Sequence, residues 1–380
     1  MKLIIPDNND PKLLDAVKRL KEKESPHQIV EVYGKLTKNT YLGSGRTNLW
    51  DYVRPEAMQR IFGFRKLGIE YEWSINDIIP RFDFLKDRPK IIEELEWIEE
   101  SGIKKITVAT YGLARLAERY CPSTEVVASF YTNVDSLKRL KQWIKLENVK
   151  TIVSGGSTYR NIPLLEKMVE EAKKTDTEIR VIANLGCMSN CIQARGHAII
   201  KSYASIDAPS LHCRPFTFYC MKHLMENPEE FLQLPIIRPE DLDAYESIGV
   251  DSVKLVDRSH STPWIEKVIG SYLSGSYDGN ILDLTSNFST FYIDSMSNEE
   301  VFNIDTDEVS SSRAGIREYR RILPELMGVS IASDYNFLSC NTICDSCEGC
   351  QDTSAIIFDS ERREVVLKQL EELEQKYLFK

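Results

Sequence analysis

Short β-branched runs alternate with amphipathic helical stretches from residue 28 to residue 285, and this rhythm constrains the fold more than any other feature. The runs are QIVEVYGKL (28–36), EYEWSIND (70–77), KKITVAT (104–110), EVVASFYTN (125–133), KTIVSG (150–155), EIRVIANLG (178–186) and DSVKLVD (251–257). GNILDL (279–284) reads as an eighth. Stretches such as RPKIIEELEWIEESG and PLLEKMVEEAKKT supply the intervening helices. Strands joined through helices pair in parallel, by right-handed crossovers. Eight such units predict an α/β fold, a TIM-like (β/α)8 barrel spanning residues 1–285. The competing architecture is an open doubly wound sheet. No strand here is followed by G-x-G-x-x-G, and SGGS at 154–157 reads as a plain strand-to-helix turn.

Residues 286–380 break the rhythm. A long polar stretch leads to RAGIREYRRILPELMG, then to four closely spaced cysteines, then to a charged helix from Ser360 to Lys380. This predicts a C-terminal cysteine-rich appendage on the barrel.

Composition narrows the partners. The formal net charge of −10 argues against broad binding to nucleic acid or anionic membranes, while leaving room for a local basic patch. No apolar run approaches the roughly 18 residues of a membrane span, so no membrane partner is expected. The opening MKLIIPDNNDPKLL lacks a signal-peptide pattern, and the expected compartment is the cytoplasm. Clustered cysteines in a cytoplasmic chain point to metal or redox chemistry rather than disulfides.

Eight of the nine cysteines form two sets. Cys187, Cys191, Cys213 and Cys220 read C-x3-C-x21-C-x6-C, and the first pair directly follows the sixth predicted strand. That places them on the C-terminal rim, where barrels carry their chemistry. Four thiolates meet the demand of a 4Fe–4S cluster or of tetrahedral zinc. Asn184, Arg195, His197, His212 and Arg214 lie close by in sequence. Cations there raise the potential of a cluster and hold an anionic substrate. The second set, Cys340, Cys344, Cys347 and Cys350, reads C-x3-C-x2-C-x2-C, the reverse of a ferredoxin run. It also contains the C-x3-C-x2-C spacing of radical S-adenosylmethionine enzymes, but after the last barrel strand rather than the first. It suits a second 4Fe–4S cluster or a structural zinc.

Other candidates sit at strand ends. Lys254 lies within the seventh predicted strand, where a barrel-facing lysine binds a carboxylate or acts as a base. Asp257, Arg258 and His260 follow it, and Asn76 and Asp77 follow the second strand. Arg46, Arg195, Arg214, Lys254 and Arg258 together would suit a small dianion. Glu31 and Glu240 are further carboxylate candidates. Tyr33, Trp73, Tyr131 and Tyr219 read as core or pocket wall, and Cys121 as a small buried residue. No H-E-x-x-H or G-x-S-x-G supplies a hydrolytic constellation.

VIANLGCMSNCIQARGH, LHCRPFTFYC and IIRPEDLDAYESIGVDSVKLVDRSHSTPWIEKVIGSYLSGSYDGNILDL together resemble the collagenase-like peptidase family U-32. EVYGKL…GSGR and SFYTNVDS also fit. The resemblance spans roughly residues 28–285 and is specific over 181–285. It implies a TIM-like barrel with a 4Fe–4S cluster on the four central cysteines. Despite the family name, it also implies oxygen-independent hydroxylation in several members. Those act on quinone precursors or RNA with prephenate as oxygen donor. The partners implied are an anionic small-molecule substrate or donor, a peptide or RNA acceptor, and a second related subunit. Many relatives carry Gly-Arg after the seventh strand. This chain carries Asp257 and Arg258 followed by SHS, which points to a different substrate pocket.

Overall fold

The computed structural model describes residues 1–37, 41–44, 52–78, 84–204, 214–286, 329–332, 335–340, 347, 350 and 352–375. Arg46, His212, Cys213, Cys344 and the stretch RAGIREYRRILPELMG lie outside the described residues.

Eight parallel strands close a barrel in chain order. They are β1 (Lys2–Pro6), β2 (Gln28–Gly34), β3 (Glu70–Ile75), β4 (Lys105–Val108), β5 (Glu125–Ala128), β6 (Val149–Val153), β7 (Glu178–Ile182) and β8 (Ser252–Lys254). The ring closes where β1 pairs with β8, setting Lys2 opposite Ser252 and Ile4 opposite Lys254.

The closing strand corrects the sequence reading. GNILDL is not the eighth strand; Ile281–Leu284 is a 3-10 turn. Asn280 starts that turn by accepting the Leu282 N–H on Oδ1 at 3.2 Å. The missing strand is KLIIP at the N-terminus, whose Leu3, Ile4 and Ile5 are fully buried. It is short, and it is apolar on both faces, as a parallel strand between helices and barrel interior must be. It therefore shows no alternation. Several predicted strands also overran. The fourth stops at Ala128 because Ser129 turns the chain into a 3-10 segment, its Oγ accepting the Tyr131 N–H at 3.3 Å.

Helices wrap the barrel: α1 (Lys12–Lys21), α2 (Arg54–Lys66), α3 (Phe84–Glu100), α4 (Tyr111–Tyr120), α5 (Leu137–Trp143) and α6 (Ile162–Lys173). Side-chain caps set their starts, as Thr110 does for α4 and Asn161 for α6. The β7–β8 crossover is the elaborate one, holding α7 (Ala194–Ala204), α8 (Arg214–Glu226), α9 (Glu229–Leu232) and α10 (Leu242–Ser247) before β8. α11 (Thr262–Ser274) completes the ring and ends on Gly275 at φ 68°, a left-handed cap that favours glycine. The main core lies between strands and helices, with Trp73 of β3 against Trp97 of α3 at 5.3 Å between ring centroids.

Beyond the barrel, β9 (Val329–Ile331) and β10 (Ile356–Phe358) form an antiparallel pair, followed by α12 (Ser360–Glu374). α12 lies on α8, with Lys222 Nζ 2.9 Å from Glu374 Oε2 and Arg363 Nε donating to the Met225 carbonyl at 2.8 Å. Asn280 Nδ2 donates to the Val329 carbonyl at 2.7 Å. The α12 contacts fix the tail on the crossover that carries the central cysteines, and the Asn280 contact ties β9 to the turn after α11. Among the described residues no helix is long and apolar enough to cross a membrane.

Candidate active site and cysteine centres

The barrel interior is ionic. Glu72 of β3 accepts Lys254 Nζ at 2.9 Å and also bonds Thr107 of β4. Arg180 of β7 bridges Glu72 and Glu31, reaching Glu31 Oε1 at 2.9 Å, and donates through Nε to Ser252 Oγ at 3.0 Å. Lys105 meets the other oxygen of Glu31 at 3.0 Å. The Lys254 ammonium sits 3.6 Å from the Tyr33 ring centroid. Burial alone would raise the pKa of Glu72, but Lys254 and Arg180 overcome this and hold it well below the ordinary carboxylate range. Glu31 moves the other way. Burial raises it, and the charge of Glu72 adds to the rise against the opposing pull of Arg180. Burial also lowers the pKa of Lys254, against the pull of Glu72.

Lys254 therefore faces the interior as its strand position predicts, but its charge is already matched by Glu72. Sequence reasoning missed Glu72 and Arg180. Their signal was present: each is a charge centred in a strand and flanked by apolar residues, as in Tyr71-Glu72-Trp73. When the flanking residues pack under helices, the charge must point inside and be paired there.

At the C-terminal end, the loop after β1 holds the loop after β8. Asn8 Nδ2 donates to the His260 carbonyl at 3.0 Å and to Thr262 Oγ1 at 3.1 Å. Asp7 receives Arg60 in a two-pronged pair at 2.9 and 2.7 Å, and Tyr71 at 3.0 Å. His260 is buried, its ring stacked on Trp264 at 3.8 Å with Nε2 2.8 Å from the Ser286 carbonyl. Asp257 takes the Ser259 N–H at 2.6 Å, which tightens the turn. Arg258 is buried and donates to the Ser44 carbonyl at 2.9 Å.

Nearby, Lys35 follows β2, fully buried, with Nζ 3.7 Å from Glu94 Oε1. Burial lowers its pKa, while Glu94 and Asp77 oppose that. The other Glu94 oxygen accepts the Leu42 N–H at 3.1 Å. Residues 41–44 thus join the mouth to Arg258, Glu94 and Asp77. Gly43 has no room to change: a Cβ there would lie 2.0 Å from Asp77 Oδ2. Gly43→Ala is expected to displace Asp77 and cost about 1–3 kcal/mol, read as a lowered denaturant midpoint with an unchanged slope.

The central cysteines converge from two elements. Cys187 and Cys191 lie in the turn between β7 and α7, and Cys220 lies on α8. All three are partly buried against the apolar core. Burial first, then the charges of Cys187 and Cys191, push the Cys220 thiol up to about 12. Cys191 is raised by burial, with the Gln193 N–H opposing. Such a set holds its thiolates only around a cation. Tetrahedral zinc and a 4Fe–4S cluster both take four thiolates, so the donor set fits either. Among the described residues, the three metal-ligating side chains with donor atoms mutually within 4.8 Å are His27, Asp243 and Glu246.

The remaining predicted residues divide. Arg195 is exposed on α7, and His197 stacks on Phe216 with ring centroids 5.3 Å apart. Arg214 opens α8. Asn76 donates to Ser129 Oγ at 3.2 Å. Asn184 is fully buried and acts on backbone: it accepts the Val256 N–H at 2.7 Å and donates to the carbonyls of Val256 and, at 2.9 Å, Leu284. It ties the β7 and β8 ends to the turn that follows α11. Cys121 is buried, its thiol pushed up to about 12 first by burial, the state of an inert core residue. In the tail, Cys350 Sγ lies 3.7 Å from the Tyr335 hydroxyl, and Cys340 follows the turn Phe337–Ser339.

No family model matches the chain. An uncharacterized protease of Methanocaldococcus jannaschii is 27% identical over 290 residues, covering 75% of this chain and 81% of that protein. The solved U32 peptidase Mk0906 aligns over 67% of this chain and 92% of its own, at 15% identity and a TM-score of 0.47. The GH113 β-mannanase AaManA from Alicyclobacillus acidocaldarius aligns over 55% and 82%, at 9% identity and a TM-score of 0.30.

Proposed function

We propose that this chain is a U-32-type iron–sulfur enzyme in which Cys187, Cys191, Cys213 and Cys220 hold a 4Fe–4S cluster. Its reaction would be an oxygen-independent hydroxylation, or a related redox modification, of a small molecule, peptide or RNA, with an anionic donor such as prephenate. The observation that carries this reading is the convergence of Cys187, Cys191 and Cys220, from the turn after β7 and from α8, beside the C-terminal mouth. A bound cluster supplies one-electron chemistry. The chain's own residues do the rest. Arg258 places positive charge at the mouth, and Arg195 offers an exposed cation beside the cysteines for an anionic group on the acceptor. Asn184 and the Asn8–Thr262 contact hold the rim loops in register. The ionic interior blocks the barrel axis, so substrate is confined to the mouth.

The test is metal content and visible absorbance after anaerobic purification. Iron with a broad visible band is expected, and Cys191→Ala should lose the central part of that band together with activity. Zinc without colour, or full activity in Cys191→Ala, would overturn the reading. A peptidase is the second reading, favoured by the likeness to the Methanocaldococcus protein, an uncharacterized protease. It predicts cleavage of peptides by the purified chain, blocked by thiol reagents or chelators.

A further inference from the structure

Arg160 lies past β6, at the same end of the barrel as the cysteines, and is only 7% exposed. Its two terminal nitrogens donate to the carbonyls of Leu232 and Leu234. Its guanidinium carbon sits 4.7 Å from the centroid of the Phe337 ring. Phe337 opens the turn that delivers Cys340, and its ring packs edge-on against Tyr335 at 4.8 Å. Tyr335 in turn reaches Cys350. A buried cation thus lies directly beneath the terminal cysteine segment.

The Cys340, Tyr335, Cys350 and Tyr245 side chains act on it electrostatically, and among the described residues no carboxylate forms an ion pair with it. Nε has no hydrogen-bond partner among the described residues. Burying a guanidinium costs several kcal/mol, and two carbonyls supply dipoles but no opposite charge. The terminal cysteines can supply that charge. Four thiolates around a zinc ion, or around an oxidised 4Fe–4S core of the same charge, leave a dianion.

We propose that Arg160 is the positioning residue of the terminal cysteine centre, its guanidinium compensating a dianionic metal–thiolate group and docking Tyr335, Phe337 and the cysteines beside them on the barrel. This rests on the reading that Cys340, Cys344, Cys347 and Cys350 bind a metal or cluster. It holds for either identity of that group, because the charge is the same. It also joins the two centres mechanically. The carbonyls that Arg160 grips flank Gln233, whose own carbonyl accepts Ser189 Oγ at 3.0 Å from the turn between Cys187 and Cys191.

The experiment compares full-length wild type, Arg160→Gln, Arg160→Lys and Cys347→Ala, all purified anaerobically. Total bound metal and its release to a chelator are measured. Wild type should hold more metal than Cys347→Ala, and that extra fraction should leave at least tenfold faster in Arg160→Gln. Arg160→Lys keeps the charge but not the two-carbonyl grip, and should fall between. Release of the extra fraction at the wild-type rate in both Arg160 variants would overturn the proposal alone. Wild type holding no more metal than Cys347→Ala would overturn it together with the reading beneath it. If Arg160→Gln does not fold, Arg160→Lys decides by the same rate.

Discussion

Leu3→Asp is expected to leave no closed barrel. Leu3 is fully buried in β1, the strand that hydrogen-bonds to β2 on one side and β8 on the other. The substitution removes about 2–3 kcal/mol of apolar burial and puts a carboxylate where no cation waits for it. The combined loss is above about 5 kcal/mol, comparable with the whole stability of a typical domain. Failure of β1 also exposes the edges of β2 and β8, which turns a local defect into a global one. Loss of a cooperative thermal transition by circular dichroism, with aggregation on size exclusion, is the expected result. A wild-type melt would show that the barrel does not need β1 to close. The conservative Leu3→Met should change stability by less than about 1.5 kcal/mol, which assigns the effect to charge and not to shape.

The same strand marks the limit of what the sequence made legible. Strands such as residues 125–128 and 149–153 stand out because helices of ordinary length follow them, and counting those units leads to a barrel. KLIIP is five residues long, ends in proline and precedes the first obvious unit, so periodicity alone passes over it. GNILDL carries an equally apolar pattern, and Asn280 settles it as a turn through a cap that hydropathy does not encode. The cysteine spacing was legible because ligand chemistry depends on residue type, and the β7 end placed Cys187 on the rim. The rim network was not. Asp7, Arg60, Lys35 and Glu94 come from four separate segments, and only the closed ring brings each to its partner. Asn184 shows the same limit from the other side. A polar residue beside the cysteines looks like a ligand contact in sequence, whereas its amide ties together the backbones of two strand ends.

Glu72→Gln is expected to cost about 3–5 kcal/mol, the penalty for breaking a buried ion pair by removing one partner. Glu72 is fully buried and is the carboxylate that both Lys254 and Arg180 share. Its amide replacement keeps the shape and one acceptor oxygen but leaves three interior cations, Lys105, Arg180 and Lys254, facing Glu31 alone. The pH dependence separates this from a packing defect. Lys254 and Arg180 hold the Glu72 carboxyl well below the ordinary carboxylate range, so its contribution is fully present above the ordinary glutamate value of about 4.3 and is lost as pH falls through the lower folded one. The gap between wild type and Glu72→Gln should therefore stay constant from neutral pH down to about 4.5 and narrow below it. Glu31, raised by burial, takes up its proton before Glu72 does, and because the fold binds that proton more tightly than the unfolded chain, this uptake favours the fold; the wild type's acid loss is set by Glu72. A gap that stays constant through the acid range would mean that Glu72 is not ionised in the fold. Lys254 would then lose its partner at neutral pH, and the interior would have a charge available for an anion after all. Denaturant midpoints at pH 7, 5 and 3.5 decide between these two interiors.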